Sequence, residues 1–116
     1  MTRQEKIKEL LDDCISKMSD DDKLIYRPIV EYVLELGYTP KPVKTAGSIS
    51  DELAFSKSKV KRTLLRMNPN HKGTGKTVFR CGGELIRIPA ISAEDVDEVK
   101  MLMKTQDEFW MKKITQ

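Results

Sequence analysis

Lys57, Lys59, Lys61, Arg62 and Arg66 fall within ten consecutive residues that contain no aspartate or glutamate. Positive charge this dense focuses potential on whatever surface it forms, and the groups that answer it are phosphates or other polyanions. The competing reading is a solvated lysine-rich face with no ligand. The surroundings favour a polyanion-facing surface. Residues 39–90 carry 11 basic side chains against Asp51, Glu52 and Glu84, a net of +8, whereas residues 1–38 are net −3 and residues 91–116 net −2. The total of +3 on 116 residues thus conceals a basic middle bracketed by acidic ends.

Other residues capable of chemistry lack the partners that would make them act. Gly73-Thr-Gly-Lys-Thr77 looks like the end of a phosphate-binding loop, but Asn70 stands where the first glycine belongs and a strand pattern, not a helix, follows. His71 is the only histidine and has no Cys, Ser or carboxylate partner at a meaningful spacing. No nucleophile–base pair can be assembled, so neither catalytic residues nor an enzymatic activity is expected. Cys14 and Cys81 are too few for a disulfide framework and have no zinc-type spacing, so no metal and no cofactor are expected either. No apolar run approaches the roughly 20 residues of a membrane helix, and the N-terminal residues lack the apolar stretch of a signal peptide. A cytoplasmic protein without a membrane partner is the expectation.

The elements that must position the basic residues can be read from periodicity. One domain spans 1–116, with N-terminal helices in 1–37, a central unit in 48–89 and a C-terminal helix in 92–115. Ile7, Leu10, Leu11, Cys14, Ile15 and Met18 make one helical stripe, with Thr2 and Glu5 at capping-box spacing. Ser19 and the following aspartates suit a second helix start, whose stripe is Ile25, Ile29, Val30, Val33 and Leu34. Pro28 either opens the regular part of that helix or kinks it, and Gly37 is placed to end it in the left-handed conformation. Residues 38–48 form a connector with room for one short edge strand. Thr77–Cys81 and Glu84–Ile88 flank Gly82-Gly83 as a hairpin, pairing Phe79 with Ile86 and Thr77 with Ile88. In the last helix Val96, Val99, Met103, Phe109, Trp110 and Ile114 lie close to one side. With Met101 and Met111 nearby, that helix is a candidate surface for a homodimer.

Residues 48–67 carry the functional reading. As helices, Ser48 and Ser56 are N-caps, Ile49 and Leu53 form one inward face, and Val60, Leu64 and Met67 form another at i, i+4 and i+7. In this form Ile49, Ser50, Leu53, Phe55, Ser56, Ser58, Val60, Arg62 and Leu64 resemble the helix-turn-helix of winged-helix DNA-binding domains. Ala54 departs from the motif, which usually has a left-handed Gly there, at a cost on the order of 1 kcal/mol.

The resemblance implies an α+β fold with helices at both ends of a winged-helix-like centre, and a small transcriptional regulator that binds duplex DNA. A recognition helix over 56–67 would place Ser56, Lys57, Ser58, Lys61 and Arg62 at the major groove, with Arg62 gripping a guanine edge. Lys57, Lys59, Lys61 and Arg66 would meet phosphates, and a wing over 77–88 would add Lys76, Arg80 and Arg87. The alternative reads Leu53-Ala-Phe-Ser and Val60–Met67 as strands of a four-stranded antiparallel sheet with helices on one face. It accounts for Leu65, which the helical reading leaves off the inner stripe, and implies a non-catalytic domain that binds a protein or small ligand.

Overall fold

A computed structural model describes residues 2–43, 52–69, 77–82, 87–88 and 92–115. The first helix, α1 (Arg3–Ser16), starts where the Thr2 hydroxyl accepts from the Glu5 N–H at 3.2 Å, and it buries Leu11, Cys14 and Ile15. The second, α2 (Asp20–Glu35), is capped by Ser19, whose hydroxyl accepts from the Asp22 N–H at 3.2 Å, and three aspartates of the first turn meet the positive end of its dipole. Pro28 lies inside this helix, with two turns before it. Gly37, at φ +99°, turns the chain out of α2 in a conformation that favours glycine.

Five strands follow, β1 (Thr39–Pro42), β2 (Leu53–Lys57), β3 (Arg62–Asn68), β4 (Val78–Gly82) and β5 (Arg87–Ile88), paired antiparallel in chain order. A short turn at Ala93–Asp95 leads into α3 (Val96–Ile114). There the Ser92 N–H and hydroxyl donate to Asp95 Oδ2 at 3.0 and 2.9 Å, which holds the Asp95 carboxyl below its usual pKa. The fold is therefore α+β with helices at both ends, in the arrangement of an antiparallel sheet covered on one face.

The expected recognition helix over 56–67 is instead the end of β2, a turn at 58–61 and most of β3. Its apolar residues fit both periods, and pairing on two sides decides between them. Leu53 and Phe55 point inward, 4% and 0% exposed, while β2 is bonded to β1 on one edge and to β3 on the other. Such non-local pairing outweighs local helix preference. A bulge between Phe55 and Ser56 leaves Leu64 as the extra residue, so that Leu64 and Leu65 are both buried. The hairpin expected at 77–88 exists in another register. Cys81 pairs with Ile88 and Gly82 with Arg87, so four residues, not two, connect the strands. Residues 48–51 lie outside the described residues.

The register sorts the sheet into rows. Pro40, Phe55, Leu65 and Cys81 form one inward row, and Leu53, Met67 and Phe79 the next, with Pro42 exposed at its β1 end. They join the inner faces of α1, α2 and α3 in one hydrophobic core that includes Ile29, Val33, Met103 and Trp110. Tyr26 of α2 stacks on Phe79 at 5.3 Å between ring centroids. In β1 the prolines occupy one phase of the strand. Val43 donates its N–H to the Glu52 carbonyl at 2.9 Å, so alternate N–H groups, those of Lys41 and Thr39, address β2, while positions 40 and 42 address the outer edge.

Candidate nucleic-acid interface

The opposite sheet face carries the charge. Lys41, Ala54, Arg66 and Arg80 pair directly, strand after strand, and form one straight row. Lys41, Arg66 and Arg80 are exposed, and among the described residues none of the three forms an ion pair with a carboxylate. Arg66 stands directly opposite Arg80. Side chains so placed have Cβ atoms about 5 Å apart, and like charges there repel unless an anion lies between them. The next row, Thr39, Ser56 and Thr63, is all hydroxyl. No aromatic side chain stands in either row, so the face offers charge and hydrogen bonds but no stacking platform for bases.

At one end of the sheet the face runs into a groove of about 310 Å³. Arg3 from α1, Lys41 from β1 and Lys61 and Arg62 from the β2–β3 hairpin line it, together with the hydroxyls of Ser58 and Thr63. No carboxylate lines it among the described residues. Lys61 has φ +54°, the only described non-glycine residue with positive φ. That conformation costs an L-residue about 1–2 kcal/mol. It closes the turn in which the Lys61 N–H donates to the Lys57 carbonyl at 2.9 Å.

Lys57 does not face a polyanion. Alternation along β2 sends it inward with Leu53 and Phe55. Its Nζ donates to the Leu36 carbonyl at 2.7 Å and to Asp107 Oδ1 at 3.1 Å, and it lies 5.3 Å from the centre of the Tyr38 ring. The Tyr38 hydroxyl donates to the same Asp107 oxygen at 2.8 Å. Burial first, then this hydrogen bond and the Asp107 charge, raise the Tyr38 pKa. Leu36 is the C-cap of α2, which has no basic residue in its last turn. The Lys57 ammonium therefore satisfies a carbonyl at the negative end of that helix.

The remaining expected site residues divide by place. Ser56 lies on the outer face, half-buried. Ser58 and Lys59 are exposed in the turn at 58–61, Lys61 and Arg62 line the groove, and Arg66 and Arg80 lie on the outer row. Lys76 falls outside the described residues, and of Arg87 only the backbone pairing with Gly82 is described. The sequence reading missed Arg3 and Lys41, which sit outside the dense run but reach the same surface. It also missed Tyr38 and Asp107, whose only signal was an acid on the apolar stripe of the last helix. Cys14 and Cys81 are buried, and burial pushes the Cys81 thiol up to about 12. Among the described residues there is no cluster of three or more metal-ligating side chains, and no helix is long and apolar enough to cross a membrane.

A second cavity, of about 490 Å³, lies between α1 and α2, lined by Ile7, Leu11, Ile15, Val30 and Leu34 with charged residues at its rim. Comparison with protein-family models, curated proteins and solved structures finds no match to the chain.

Proposed function

We propose that the protein binds nucleic acid through phosphate contacts made by the open face of its sheet. The observation that carries this reading is the row of Lys41, Arg66 and Arg80, in which two exposed arginines stand opposite each other without a carboxylate. A phosphodiester between them removes the repulsion and gains charge-assisted hydrogen bonds. The helical segments, net −3 over residues 1–38 and net −2 over residues 91–116, pack on the other face. Such contacts position a protein on a backbone without reading sequence.

Duplex DNA is the first polymer to test, and regulation of transcription is the role that fits a target there. Base readout would fall to the β2–β3 hairpin, since a two-stranded ribbon fits the major groove. Pairing of two copies through α3, where Met101 is 70% exposed, would double the contacts.

The test is fluorescence anisotropy of a short labelled duplex over a salt series. Three phosphate contacts give a log–log slope of about −2.7, and Arg66→Ala/Arg80→Ala should reduce it to about −0.9. Absence of binding at low salt, or an unchanged slope in that variant, refutes the reading.

A second reading, a domain that takes a small ligand, is favoured by the cavity between α1 and α2, whose 490 Å³ falls within the range of ligand sites. An apolar dye displaced by substitution of Leu34 with tryptophan tests it.

A further inference from the structure

We infer that the groove at the end of the sheet is a site for a phosphate monoester that adjoins the diester-binding row and shares only Lys41 with it. The row is an open face with its charges in a line. The groove is concave, and Arg3, Lys41, Lys61 and Arg62 reach it from α1, β1 and the β2–β3 hairpin, with Ser58 and Thr63 supplying hydroxyls. A monoester carries close to two negative charges and three terminal oxygens, more of both than a backbone diester, and so gains most from cations arriving from several directions. Lys57 also borders the groove, where its ammonium is held by the Leu36 carbonyl and Asp107.

The backbone at Lys61 is an independent observation. Its φ of +54° is the conformation glycine adopts freely, so glycine would make this turn with less strain. A lysine held there at the edge of a basic groove is a case in which local strain accompanies a binding role. The monoester is either the terminal phosphate of a nucleic-acid strand or the phosphate of a small metabolite. The inference rests on the nucleic-acid reading only for the first of these sources.

The experiment compares the wild type with Lys61→Gly and with Arg66→Ala/Arg80→Ala. The probes are inorganic phosphate alone, followed by backbone NMR shifts at Ser58 and Thr63, and one oligonucleotide with either a 5′-phosphate or a 5′-hydroxyl. Phosphate should produce saturable shifts at both residues in the wild type and in the double-arginine variant. Lys61→Gly should melt at or above the wild-type temperature and bind phosphate roughly tenfold more weakly, the loss expected for one charge-assisted contact. A preference for the 5′-phosphate that disappears in Lys61→Gly identifies a strand end as the source. Phosphate shifts without oligonucleotide binding support the site, identify a small phosphorylated molecule, and count against the nucleic-acid reading alone. Absence of saturable shifts in the wild type, or equal shifts in Lys61→Gly, overturns the inference.

Discussion

Removing either member of the Lys57–Asp107 pair should damage the fold more than any change on the basic face. The two side chains keep 15% and 11% of their exposure, so each is largely withdrawn from water. Asp107→Ala leaves the ammonium with the Leu36 carbonyl and deprives the Tyr38 hydroxyl of its acceptor. Lys57→Met leaves a carboxylate held by Tyr38 alone and uncaps the end of α2. Breaking a buried pair from one side costs about 3–5 kcal/mol, and the residual solvent contact places each single change near the lower end. Asp107→Ala combined with Lys57→Met removes both charges together and should cost about 3 kcal/mol, well short of the additive value of about 6 kcal/mol. Urea denaturation of the wild type, the two singles and the double variant measures the coupling. Singles below about 1 kcal/mol, or additivity within about 0.5 kcal/mol, would show that the pair is solvated and refute the reasoning.

Gly37→Ala should destabilise by about 1–2 kcal/mol in the same assay, because φ +99° disfavours a side chain and the new Cβ would lie 3.2 Å from Lys57 Cε. On the alkaline side, burial first and then the Asp22 charge push Tyr26 from 10.0 up to about 12, and burial pushes Cys81 from 9.0 to about 12. The unfolded chain therefore loses these protons first, and stability present at neutral pH should fall as pH rises through 9 and 10 toward 12. Thermal melts over that range read the slope, and Tyr26→Phe should flatten it.

Helices and caps were the legible part of the sequence because their signals are local. Thr2, Ser19 and Gly37 each act within a few residues of where they stand, and the stripes of α1 and α2 need only a period. The centre was not legible because Val60, Leu64 and Met67 satisfy a helical spacing while Thr63, Leu65 and Met67 satisfy a strand. Two features blurred the strand signal. The bulge puts Leu64 and Leu65 on the buried side together, which breaks the alternation, and the turn takes its left-handed residue from a lysine, which announces no turn. The basic surface was anticipated as a surface but not as a shape. Lys57 belongs to the dense run, yet the strand period turns it inward, while Lys41 and Arg3 join from elements that only the assembled sheet brings near.

The two prolines of β1 limit how molecules can assemble. Each stands where the strand would otherwise offer an N–H to a newcomer on its outer side, and proline has none. A strand from a second copy therefore cannot be recruited along this border by the ladder that builds the rest of the sheet. The border is closed to fibre growth and to continuous ribbons running from one molecule to the next. If the protein lines up on nucleic acid as proposed, neighbours meeting at this border gain no cooperativity from strand pairing.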